Sequence, residues 1–114
     1  MTIRQEELHE MNFSDVATGK RMPNIHPGEI LLTEFLEPMA ISQNKIARAI
    51  AVSPRRINEI VLGKRSITAD TALRLARAFD TSETFWMNLQ AAYDLEEARK
   101  GIQGQLRAIH KVAA

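Results

Sequence analysis

The chain has 114 residues, of which 45% are hydrophobic, 25% charged and 5% aromatic, with five glycines and no cysteine. That length gives one small domain around a single modest core, and the lack of cysteine excludes disulfides, thiolate metal centres and cysteine nucleophiles. Net charge is only +1, yet residues 1–25 sum to −1, 26–41 to −3, 42–66 to +5 and 67–114 to zero, so the basic charge is concentrated in one stretch.

Residues 1–25 carry scattered apolar side chains (Ile3, Leu8, Met11, Phe13, Val16) without sustained periodicity and end in the turn-like GKRMPN. They read as a tail, flexible or weakly helical. They are also too polar and acidic for a signal peptide. No apolar run approaches the roughly 18 residues of a membrane span, so a cytoplasmic protein with no membrane partner is expected.

From His26 the pattern changes. Pro27 suits a first helical position, Glu29 lies near the positive end of the helix dipole, and ILLTEFL follows until Pro38 stops the first helix. Ser42 caps a short second helix, QNKIARAI, whose Ile46, Ala47 and Ile50 share one face. Only Ala51 and Val52 intervene before Ser53 caps a third, with Pro54 in its first turn, Ile57, Ile60 and Val61 on one side and Gly63 as a left-handed stop. Thr68 opens a fourth, with Ala72, Leu75, Ala76 and Phe79 at helical spacing. A cap at Thr81 or Ser82 starts the fifth, ETFWMNLQAAYDLEEARK. Its Trp86, Leu89 and Tyr93 form an apolar stripe wide enough to be a dimer interface as well as core. Beyond Lys100, Gly101 and Gly104 weaken helix propensity, so a frayed or partner-dependent helix is expected.

Two short helices joined by a tight turn, each with its own serine cap, match a helix-turn-helix inside a compact all-α, five-helix domain. At about 100° per residue, Arg55, Asn58 and Glu59 lie opposite the aliphatic face of the third helix, with Arg56 at its flank. Arginine matches guanine O6 and N7, and asparagine matches adenine N6 and N7, which makes Arg55, Arg56, Asn58 and Ser53 candidate base contacts. Ser42 and Gln43 at the start of the second helix, and Lys64, Arg65 and Ser66 just past the third, are candidate phosphate contacts. Arg55 and Glu59 would form an i, i+4 pair on any exposed helix, and cations after a helix C-terminus also complement its dipole. The joint pattern of caps, turn, inward aliphatics and segregated charge favours nucleic acid.

Residues 26–97 resemble the HigA-type antitoxins, a branch of the lambda-repressor-like helix-turn-helix regulators. The motifs that carry the resemblance are HPGEILLTEFLEPM, SQNKIA, VSPRRINEIVLGKRSITADTALRLARAF and FWMNLQAAYDL. The resemblance implies a homodimer binding a palindromic double-stranded operator, repression of its own operon, and a HigB-like mRNA-cleaving toxin as partner. It also implies that Ser53, Arg55, Arg56 and Asn58 lie on the recognition helix and Gln43 on the phosphate-contacting helix start. Many lambda-like repressors open the recognition helix with glutamine, where this chain has Ser53-Pro54, so their base contacts do not transfer. The first 25 residues and the C-terminal extension, residues 98–114, fall outside the shared motifs and are the places to look for toxin contact. Alternatives are a solitary regulator without a toxin, or an interaction module that no longer reads DNA. His9, His26 and His110 are far apart, and no phosphate loop, HExxH or nucleophile elbow occurs. No enzyme, cofactor or metal is therefore implied.

Overall fold

The computed structural model describes residues 24–112, which form five helices and, among the described residues, no strand. The first, α1, opens at Pro27–Ile30 and continues without a break as a π-helix over Leu31–Leu36. It is followed by α2 (Gln43–Ala49), α3 (Pro54–Val61), α4 (Ala69–Phe79) and α5 (Glu83–Arg107). This is the all-α, five-helix architecture that the caps and periodicities predict.

The caps act as their residue types dictate. Ser42, Ser53 and Ser82 accept the backbone N–H three residues on, from Lys45 at 3.0 Å, Arg56 at 3.2 Å and Phe85 at 3.1 Å. Thr68 does the same for α4, and Gly63 ends α3 with φ +76°. Three further left-handed residues, Ala40, Ala51 and Asp80, turn the chain without glycine. The π geometry of α1 departs from the expected α-helix. Pro38 supplies no N–H to continue the α ladder, while Thr33 Oγ1 donates back to the Glu29 carbonyl at 2.8 Å. The last turn widens so that the Glu37 N–H reaches the Leu32 carbonyl, keeping Leu31, Phe35 and Leu36 buried.

All five helices contribute to one core, from Leu31 and Phe35 through Ile46, Ile57 and Ile60 to Leu75 and Trp86. The Trp86 ring lies 5.0 Å from those of Phe35 and Phe85, and its Nε1 donates to Thr81 Oγ1 at 2.8 Å. Helices α1 and α3 meet at Gly28, where a Cβ would collide with the Ile60 carbonyl, so only glycine permits the approach. His26 caps α1 by accepting the Gly28 N–H at Nδ1 (2.9 Å), and its ring meets Tyr93 edge-on at 4.8 Å. Burial lowers its pKa, opposed by the nearby carboxylates of Asp94 and Glu29.

The structure adds detail at both ends of the domain. The weak helix expected in residues 1–25 lies, apart from Asn24 and Ile25, outside the described residues. Asn24 does not belong to a tail: its Nδ2 donates to the Tyr93 carbonyl at 2.9 Å and to Glu97 at 3.1 Å, pinning the chain to α5. The C-terminal extension begins as helix, since α5 runs to Arg107 with one non-helical residue, Ile102, between the two glycines. That part of α5 leaves the core: Ile102 and Leu106 are exposed along it, as is Leu95 just before it. No helix among the described residues is long and apolar enough to cross a membrane. No group of side chains suited to hold a metal gathers among them.

Candidate nucleic-acid interface

The site is built on α2, the turn at 50–53 and α3. Ile46, Ala47 and Ile50 bury the inner side of α2, and Ile57 and Ile60 that of α3, which fixes what the remaining sides present. The turn between them is held from outside the pair. Arg74, on α4, donates through Nη1 to the Ile50 carbonyl at 2.7 Å and through Nε to Asp70 at 2.8 Å. A guanidinium thus caps the end of α2 next to the left-handed Ala51.

On the outer side of α3, Arg55 keeps 83% of its side chain exposed and donates through Nε to Glu59 at 2.9 Å. Asn58 is exposed and donates through Nδ2 to Gln43 Oε1 at 3.2 Å, so a candidate base contact and a candidate phosphate contact meet across the two helices. Ser42 and Ser53 are exposed, though each hydroxyl caps its helix. Lys64, Arg65 and Ser66 are exposed beyond Gly63, and Arg65 folds back onto Glu59 at 2.7 Å. Glu59 therefore receives a guanidinium on each oxygen, and these two bonds, Arg55 first, hold its carboxyl below its ordinary pKa.

Arg56 departs from the expected placement. It turns to α4 and donates through Nη1 to Asp70 at 2.9 Å and to the buried Thr71 at 3.4 Å. With Arg74 foremost and Arg56 second, Asp70 too is held below its ordinary value. At the flank of the α3 wheel, Arg56 had two directions open, and the acidic group on α4 takes it.

The stripe read as core and suspected dimer interface lies largely on the core side. Trp86 has no exposed surface and is core. Leu89 is partly buried against that core, and Tyr93 is partly buried against His26. The large apolar side chains that α5 does present outward are Met87, Leu95, Ile102 and Leu106. Two positioning residues escaped sequence reasoning. Arg74 is one; the other is Gln90, buried, which accepts the Ile67 N–H at 2.7 Å and so anchors the strand of chain that carries Lys64 to Ser66. Neither position carries a sequence signal, because both partners are backbone groups distant along the chain.

A helix-turn-helix family profile matches residues 32–86, from inside α1 to the first turn of α5. Virulence-associated protein I of Dichelobacter nodosus is 54% identical over 89 residues, covering 77% of this chain and 82% of that protein. Antitoxin HigA-1 of Vibrio cholerae is 36% identical over 90 residues, covering 79% of this chain and 84% of that protein. Among solved structures, the Pseudomonas aeruginosa antitoxin HigA with the higBA promoter superposes with a TM-score of 0.75 at 46% identity, covering 80% of this chain and 99% of that one. With the fold, the capped helix pair and the outward Arg55–Asn58 face in place, these likenesses establish that the chain belongs to the HigA-type helix-turn-helix family of antitoxins and transcriptional regulators.

Proposed function

We propose that the protein is an operator-binding antitoxin. In this reading, two copies insert α3 into successive major grooves of a palindromic site about 34 Å apart. They repress the operon that encodes them and neutralise a HigB-like, mRNA-cleaving toxin in the cytoplasm. The observation that carries it is the outer side of α3, where Arg55 and Asn58 are exposed and Asn58 is joined to Gln43 at the start of α2. The P. aeruginosa HigA solved with its promoter is 46% identical to this chain, which supports the same task here. Arg55 and Asn58 then read base edges; Ser42, Gln43, Lys64, Arg65 and Ser66 line the phosphate backbone. Ser53 stays a candidate base contact at the mouth of α3, and Arg56 contributes by fixing α3 on α4. The outward Leu95, Ile102 and Leu106 of α5 are the surface offered to a second copy.

The test is a titration of the full chain with the duplex directly upstream of its own reading frame. A dimer that neutralises about eight phosphates loses on the order of 10³ to 10⁵ in affinity between about 50 and 200 mM salt, while still preferring that duplex over a shuffled one. Failure to prefer any duplex leaves an interaction module. Co-purification with the product of the adjacent reading frame separates an antitoxin from a solitary regulator. A monomer in sedimentation at binding concentrations contradicts the two-fold arrangement.

A further inference from the structure

We propose that Glu59 is a specificity-setting positioning residue, whose carboxylate aims the free guanidinium edges of Arg55 and Arg65 at the duplex. This rests on the operator reading above and goes beyond it, because Glu59 itself is neither a base nor a phosphate contact in that reading.

The geometry separates the two edges of each guanidinium. Arg55 gives Nε to Glu59 Oε2 at 2.9 Å, and no other described residue accepts from it, so both terminal nitrogens remain free. Those two nitrogens form the fork that matches guanine O6 and N7. Arg65 donates Nε to Glu59 Oε1 at 2.9 Å and holds Nη2 2.7 Å from the same oxygen, which leaves its Nη1 without a described acceptor. The Glu59 side chain is 25% exposed, against 83% for Arg55 and 45% for Arg65, so it sits recessed below both. An arginine on a surface helix samples many rotamers, and those must be frozen when it docks. A carboxylate that already holds Nε removes much of that freedom before the duplex arrives.

Charge points the same way. Among the described side chains of α2 and α3, Glu59 is the one carboxylate within the basic stretch, and an anion facing a phosphate backbone weakens sequence-independent binding. Its contribution therefore lies in direction rather than in attraction. The other cluster is built differently: Arg56 Nη1 and Arg74 Nε both donate to Oδ1 of Asp70, and the same two guanidiniums also reach the Thr71 hydroxyl and the Ile50 carbonyl. Neither guanidinium on Glu59 has a second described acceptor.

The experiment uses the full-length chain and a library of duplexes with a randomised core of about 20 bp, long enough for two half-sites one turn apart. Wild-type protein selects its preferred duplex, and affinities for that duplex and a shuffled one are then measured for wild type, Glu59→Gln and Glu59→Asp. Glu59→Gln keeps the length but loses the charge, and is expected to lower the preferred-to-shuffled ratio roughly tenfold. Its affinity for the shuffled duplex rises, and the salt slope steepens by about one phosphate as Arg65 is released. Glu59→Asp keeps the charge but is too short to reach both arginines, and also lowers the ratio. A merely structural role would lower both affinities together and reduce the melting temperature. Either that pattern, or an unchanged ratio in Glu59→Gln, overturns the inference while leaving the operator reading intact. A full ratio in Glu59→Asp overturns the aiming role and leaves charge alone. Wild-type protein that selects no duplex removes the operator reading, and this inference with it.

Discussion

Arg55 keeps 83% of its side chain in solvent and leans on Glu59 of its own helix, whereas Arg56, one residue later, keeps 31% and crosses to Asp70 on α4. Each belongs to a cluster of one carboxylate and two guanidiniums, and both carboxyls are held below their ordinary pKa by the arginines they accept from. The composition is the same; the geometry differs, with one arginine on each oxygen of Glu59 and both on Oδ1 of Asp70. Toward the domain, the second arginine of the cluster, Arg74, fastens the turn between α2 and α3. In the other cluster the second arginine, Arg65, is 45% exposed, and its guanidinium has no described acceptor besides Glu59. Neighbouring charges can thus serve frame and function separately, according to which side of a short helix each one takes.

The contrast breaks hardest where the frame is touched at its tightest point. Gly28→Ala places a Cβ against the Ile60 carbonyl, which neither α1 nor α3 can yield without moving. The expected loss is about 3 kcal/mol or more, at the upper end for overpacking a close contact. Urea unfolding measures it, and duplex binding should fall in step because the whole of α3 shifts. A variant as stable as wild type would show that α1 does not hold α3 there.

Arg55→Ala attacks the other side. Operator affinity should fall by about 1–3 kcal/mol, with preference relaxed at one base position and the melting temperature unmoved. Equal losses in binding and stability would erase the distinction between the two clusters. Next in size is Arg74→Ala, which leaves the Ile50 carbonyl without its charged donor. It should cost about 1–2 kcal/mol of stability, since a charged hydrogen bond is lost from a partly exposed site. Arg56→Ala removes a half-screened pair and should cost about 0.5 kcal/mol in stability, with a smaller effect on binding than Arg55→Ala. If Arg56→Ala instead cripples binding alone, Arg56 leaves Asp70 on docking and reads the duplex after all.

Most of the frame could be read from the sequence because its signals are local. Ser42, Ser53, Thr68 and Ser82 each stand at a helix start with a hydrophobic period behind them, and Gly63 stands at a stop. Ala40 and Ala51 adopt positive φ with no residue preference to announce it, so the left-handed geometry there is not legible, although the short connection at Ala51 is. The π-helix of α1 depends jointly on Pro38 and Thr33, neither of which is diagnostic alone. In the candidate site, the outward positions of Arg55 and Asn58 follow from the burial of Ile57 and Ile60. The fate of Arg56 does not, because Asp70 is fourteen residues away on another helix. The Trp86 stripe is ambiguous for a related reason: a wide stripe on a helix does not say which edge of it the rest of the domain covers, and here Trp86 falls on the covered edge.

Acid offers the finest probe of the comparison. The folded-state pKa of His26 lies below the ordinary histidine value, so the unfolded chain takes up the proton first. The stability tied to its neutral ring is therefore complete above about pH 6.5 and declines as pH falls below it. Protonation also converts Nδ1 from acceptor to donor, which opposes the Gly28 N–H that it caps. Glu59 and Asp70, held low by their arginines, stay charged through the same window and release their contribution only as pH falls further, below the ordinary carboxylate range. Melting temperatures taken from about pH 7.5 to 5.5 should drop modestly in wild type and stay nearly flat in His26→Asn, whose side chain can still accept at the cap. A wild-type midpoint that is flat to about pH 5 would mean that His26 is not what fastens α1, and that the frame, like the reading face, answers only to its arginines.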